Sequence, residues 1–134
     1  MAIFLDYLND RLGSRLVIED DDRTCYAYLI VDGEIVSDVW LYNVGAVPDS
    51  AEWSEPRSAP FANPYQMTVG EDFEPLVSSS EVEIVWPDQD FAAAKVEVVL
   101  RGQRHALLKP GAKPGWCRLA SKPSPLAIPL DTRL

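Results

Sequence analysis

Catalysis at neutral pH needs a side chain that titrates there, and this chain has one histidine, His105. In a Ser-His-Asp or Cys-His device His105 would have to be the base. It lies in the run RGQRHALL, with no Gly-x-Ser-x-Gly elbow nearby, and is expected to be a strand histidine beside Leu100 and two arginines. The two cysteines, Cys25 and Cys117, lack metal-ligand spacing, and with a single histidine they fall short of a four-ligand zinc site. The run Glu19-Asp20-Asp21-Asp22 lacks the spaced ligands, central glycine and terminal glutamate of a calcium loop, so it reads as an acidic turn. Asp88 and Asp90 resemble paired carboxylates, but a chain with 21 acids offers such pairs by chance. Asp38 stands out because it interrupts an apolar strand face, where pairing with an arginine such as Arg118 is the ordinary outcome. No glycine pattern cradles a phosphate. The expectation is no catalytic residue, no metal and no cofactor, with a hydrolase the least favoured reading.

Aromatic and cationic residues suggest binding instead. Trp40 and Trp86 occupy alternating strand positions and read as core, whereas Trp53 lies in a long loop and Trp116 follows a Lys-Pro-Gly turn. An exposed Trp beside basic residues gives large contact area at small entropic cost. Between Val98 and Leu130 there is no acid, while Arg101, Arg104, Lys109, Lys113, Arg118 and Lys122 give +6. These bases would either pair across strands with Glu81, Glu83 or Glu97, the favoured outcome, or converge into a patch for a carboxylate or phosphate. The candidate binding residues are Trp53, Phe61, Tyr65, Arg101, Arg104, His105, Lys109, Trp116 and Arg118.

The remaining charge is sorted by position. Residues 1–97 carry 20 acids against five bases, a net of −15, within a total of −9. Such a chain docks its basic part on its acidic part or presents a two-signed surface to partners. Its negative total disfavours duplex nucleic acid and anionic membranes, whose recognition rests on clustered Lys and Arg. The length, 134 residues, fits one domain able to hold a core without staples. The opening MAIFLDYLNDRLG has no basic region ahead of an apolar run, and no stretch approaches a bilayer span. Reduced thiols in the cytoplasm are therefore expected. An immunoglobulin-like bridge is disfavoured, because no Tyr sits two residues before Cys117.

The elements that must position these residues follow from periodicity. Phe4, Leu8 and Leu12 recur every four residues, predicting a helix over 2–12 capped by Gly13. Strands are expected at 15–19, 24–31, 34–44, 82–86, 91–100, 104–108, 116–120 and 126–130. Asp32-Gly33 should make a two-residue hairpin pairing Ile30 with Ile35, Tyr28 with Ser37, Tyr26 with Val39 and Cys25 with Trp40. Both faces of that hairpin are apolar, so it should be central and covered on both sides. Gly102-Gln103 should turn a second hairpin, and the Pro-rich segment 45–75 should pack on the body as a loop. The fold class is mainly β: an antiparallel β-sandwich or partly closed barrel of seven to eight strands with one short N-terminal helix.

The function expected is a non-enzymatic binding module, in one version an acidic antidote for a basic protein. The alternative is a sandwich that binds a small anionic metabolite or a sugar, and a homodimer through a sheet edge is a further expectation.

Overall fold

The computed structural model describes residues 3–9, 13–21, 24–43, 73–87, 95–121, 123 and 126–130. Among them nine strands form two sheets, neither closed into a barrel, and there is no α-helix. The first sheet is an antiparallel meander of β1 (Ile3–Asn9), β2 (Ser14–Asp20), β3 (Thr24–Val31) and β4 (Glu34–Asn43), paired in chain order. The second comprises β5 (Val82–Val85), β6 (Val96–Leu100), β7 (Gln103–Leu108), β8 (Trp116–Cys117) and β9 (Ile128–Pro129). Its pairs are antiparallel except β8 with β9, which run parallel.

The expected N-terminal helix is instead strand β1. A spacing of four also belongs to one face of a strand, because four is a multiple of two. Ile3, Leu5 and Tyr7 are half-buried against the core while Phe4, Asp6 and Leu8 are exposed, an alternation only a strand produces. Gly13, at φ +61, sits in the link to β2 rather than at a helix end. The count also rises to nine strands, with β8 and β9 each shorter than expected.

The Asp32-Gly33 turn forms with both residues at positive φ, and Val31–Glu34 and Ile30–Ile35 pair as expected. Beyond them the expected register fails. Val36 opposes no residue, so Leu29 pairs with Ser37, Ala27 with Val39 and Tyr26 with Trp40. Leu41 is a second extra residue, shifting Cys25 onto Tyr42. These β-bulges turn Ser37, Val39 and Leu41 inward with Ala27 and Leu29, and place Asp38 beside Tyr28 on the other face. In β7 a third bulge leaves His105 unopposed between the Val99–Arg104 and Val98–Ala106 pairs. The second hairpin turns at Arg101-Gly102, one residue earlier than expected, with φ of +52 and +79.

One core cluster takes residues from both sheets: Leu16, Ile18, Ala27, Leu29 and Val39 from the first, Val96, Val98, Ala106 and Leu108 from the second. Each fully buried Leu or Ile contributes roughly 1.5–3 kcal/mol. Trp40 is buried and Trp86 packs partly buried on the cluster, as their strand positions implied. The outer edge of β4 is closed by residues distant in sequence. Gly111 donates to the Val36 carbonyl at 2.8 Å, Gly115 to that of Asp38 at 2.7 Å, and Trp40 to that of Leu126 at 2.9 Å. Ser37 Oγ adds a hydrogen bond to the Ala112 carbonyl.

Candidate functional site

Two places gather side chains capable of chemistry: a buried seam between the sheets and a surface patch around Trp116. The seam exists because of the bulges. A bulge residue has no opposite number in the ladder, so its carbonyl is left to find another donor. The Leu41 carbonyl accepts from His105 Nε2 at 2.8 Å, and the His105 carbonyl accepts from the Arg118 backbone N–H at 2.9 Å. Because a carbonyl only accepts, His105 carries a proton on Nε2. The Cys117 thiol donates to the same Leu41 oxygen at 3.6 Å. Imidazole and thiol thus share an acceptor instead of facing each other as a base and a nucleophile.

The thiols are not activated. Burial pushes Cys117 up to about 12 and pushes Cys25 well above the ordinary thiol range. A thiolate is the reacting species, so both sulfurs are held in their inert form. Tyr42 completes the seam: its hydroxyl donates to Asp20 Oδ2 at 2.8 Å and accepts from the Leu76 N–H at 3.0 Å. Burial raises its pKa far above the phenol range, so it stays a neutral donor. Phe73 seals one end, its ring centroid 4.9 Å from Tyr42 and 5.0 Å from His105, with the Arg101 guanidinium 5.1 Å and the Arg118 guanidinium 5.9 Å away. The arrangement is that of a fastener between two sheets, with every hydrogen bond named here directed inward.

Among the described residues the basic block does not converge on one patch. Arg101, in its left-handed turn, donates to Glu81 at 2.9 Å and to the Pro75 carbonyl at 3.2 Å. Glu81 is prepared for this by a short 3₁₀ turn, Ser79–Glu81, whose capping box is formed with Ser78. The Val77 and Ser78 N–H groups, then Arg101, hold the Glu81 carboxyl below its usual range. Arg104 pairs with Glu97 across β6 and β7. Pairing with Glu81 and Glu97 was legible in the sequence. Asp38, half-buried and raised by that burial, has Lys113 as the opposing charge, not Arg118.

One member of the block, Lys109, does meet a second cation, Lys95. On the outer face of the second sheet the half-buried Trp116 ring has Lys95 Nζ 4.9 Å and Lys109 Nζ 6.0 Å from its centroid. Cross-strand pairing sets Trp116 beside Leu107 and Ile128. Gly115 positions it, since a Cβ there would lie 2.3 Å from the Leu107 carbonyl oxygen. Lys95 was not among the expected site residues, and its place beyond β6 became apparent only from the β6–β7–β8 pairing. Of the others, Lys109 and Trp116 come together, Arg101 and Arg118 flank Phe73, and His105 is sealed. Trp53, Phe61, Tyr65 and Lys122, like Asp88 and Asp90, lie outside the described residues.

Among the described residues no three His, Cys, Asp or Glu side chains converge on a metal-sized site, and no helix is long and apolar enough to cross a membrane. Comparison of the chain with protein-family models, with curated proteins and with solved structures finds no match.

Proposed function

We propose that the protein is a non-enzymatic, cytoplasmic binding module whose partner is a protein with a basic surface. The observation that carries this reading is the fate of the cations. Arg101 and Arg104 are taken up by the protein's own glutamates, and Arg15 by Asp6 at 3.1 Å. Glu19, Asp32 and Glu34 meanwhile stay exposed at the two ends of the meander. With a total charge of −9, that surface attracts a cationic partner and accelerates encounter. The seam supports the non-enzymatic part, because its thiols are protonated and its imidazole already donates to a backbone carbonyl.

Affinity capture from the native organism tests the proposal, with wild type and a Glu19→Lys/Glu34→Lys variant compared at low and raised ionic strength. A basic protein held by wild type, released by salt and lost from the variant supports it. Capture of nothing at low salt, or equal capture by both chains, overturns it.

A second reading rests on Trp116 with Lys95 and Lys109: an indole flanked by two ammonium groups suits a small anionic ligand. Titration calorimetry with citrate as probe, against wild type and Lys109→Gln, is its test. Binding weakened in the variant supports this reading, and absence of heat with wild type removes it.

A further inference from the structure

We infer that β1 is a homodimer interface, in which two copies pair β1 with β1 antiparallel about a two-fold axis through Asp6. The inference is independent of the cationic-partner reading, because it uses the apolar edge of the meander instead of its charged ends.

β1 is the terminal strand of the first sheet, and among the described residues nothing pairs with its outer edge. Exposed edges are normally protected by shortness, bulges, proline or lysine. β1 has seven residues, an unbroken register with β2 from Ile3–Asp20 to Asn9–Ser14, and no proline or lysine. Its one charge, Asp6, is neutralised by Arg15 at 3.1 Å. The other end of the same sheet, β4, has two bulges and is capped by Gly111, Gly115 and Leu126.

Both faces of β1 are apolar. Phe4 is 62% and Leu8 59% exposed on the outer face, while Ile3, Leu5 and Tyr7 are half-buried against the core. A neighbouring strand would cover the outer pair and extend the inner row. The pattern also specifies which neighbour fits. Read in either direction from Asp6, the outer face is apolar, acidic, apolar, so an antiparallel copy sets Phe4 opposite the partner's Leu8 on both sides of the axis. On the inner face Leu5 meets the partner's Tyr7. Asp6 meets the partner's Asp6, and the Arg15 of each chain balances the two carboxylates. Such an isologous pairing uses both open edges and closes, giving one continuous eight-stranded sheet without propagation.

Sedimentation velocity of the full chain at about 100 µM tests this, since dimer population depends on chain concentration. The expected mass is twice 14.9 kDa, falling to one chain mass in Phe4→Lys/Leu8→Lys with an unchanged circular dichroism spectrum. Cysteine substitution reads the register and does not depend on that variant folding. Asp6→Cys faces itself across the axis and is expected to form a disulfide-linked dimer under mild oxidation. Phe4→Cys places the two positions about 14 Å apart, beyond disulfide reach, and is expected to form none. Monomer at every concentration, a dimer that survives Phe4→Lys/Leu8→Lys, or cross-linking through position 4 as fast as through position 6 overturns the inference.

Discussion

β1 and β4 are the two outer strands of one sheet, and the chain finishes them in opposite ways. β4 departs from regular pairing twice, at Val36 and Leu41, and each spare carbonyl receives a donor from the second half of the chain: Gly111 N–H for one, His105 and Cys117 for the other. β1 is regular throughout and has no such partner among the described residues. The difference shows what a bulge is for here. At Leu41 it breaks the ladder enough to offer a carbonyl sideways, and that carbonyl then fastens one sheet to the other. A strand without irregularity keeps its edge in the form another strand can use.

The hold on β4 is most sensitive at Gly115. Its N–H caps Asp38, and its missing Cβ lets it approach Leu107, so Gly115→Ala drives a backbone displacement at the point where β4 is held. A loss of about 3 kcal/mol is expected, read as a lowered urea midpoint. A loss below 1 kcal/mol, roughly the effect of an ordinary surface change, would mean the clasp is not structural.

Next is His105→Leu, which keeps the volume but removes the strong donor to Leu41. A buried carbonyl left with only a weak thiol donor costs about 2 kcal/mol. If the variant melts with wild type, the seam is packing rather than hydrogen bonding.

Asp38 supplies a smaller, pH-dependent contrast. Burial raises its carboxyl above the ordinary 3.8, with Lys113 opposing, so the folded chain binds that proton more tightly than the unfolded chain does. Stability from this group is therefore present below 3.8 and declines as pH rises through the raised value. Asp38→Asn is expected to be more stable than wild type at neutral pH, an advantage that disappears in acid. Parallel pH profiles for the two chains would refute the assignment.

At the β1 edge the effect on folding should be smallest. Phe4→Lys and Leu8→Lys lie on exposed positions and, in dilute solution, should leave the unfolding midpoint unchanged within about 0.5 kcal/mol. A large loss would show that β1 is covered within its own chain.

Local chemistry made part of this fold legible. Asp32-Gly33 announced its hairpin because both turn positions need positive φ, and Glu81 and Glu97 were nameable as partners because opposite charges on neighbouring strands find each other. β1 was misread for a physical reason, as Phe4 and Leu8 are four apart and share a face in either conformation. The bulges were not legible at all. Nothing in Val36, Leu41 or His105 distinguishes an extra residue from a paired one, because the cause lies in donors far along the chain. Since those bulges aim His105 and Leu41 at each other, the seam was hidden with them. The Trp116 patch was half-visible: Trp116 and Lys109 are near in sequence, whereas Lys95 joins them only through strand pairing.

The way β4 is fastened also orders events in time. Its contacts reach across 64 to 76 residues, from Leu41 to His105 and Cys117 and from Ser37 to Ala112. A ribosome adding residues one by one completes the meander first, then needs on the order of ten seconds more to deliver the glycines and the histidine that secure its rim. For that interval the Val36 and Leu41 carbonyls of the nascent chain lack the protein donors that later hold them. Synthesis, more than the finished molecule, is when β4 is open to misassembly.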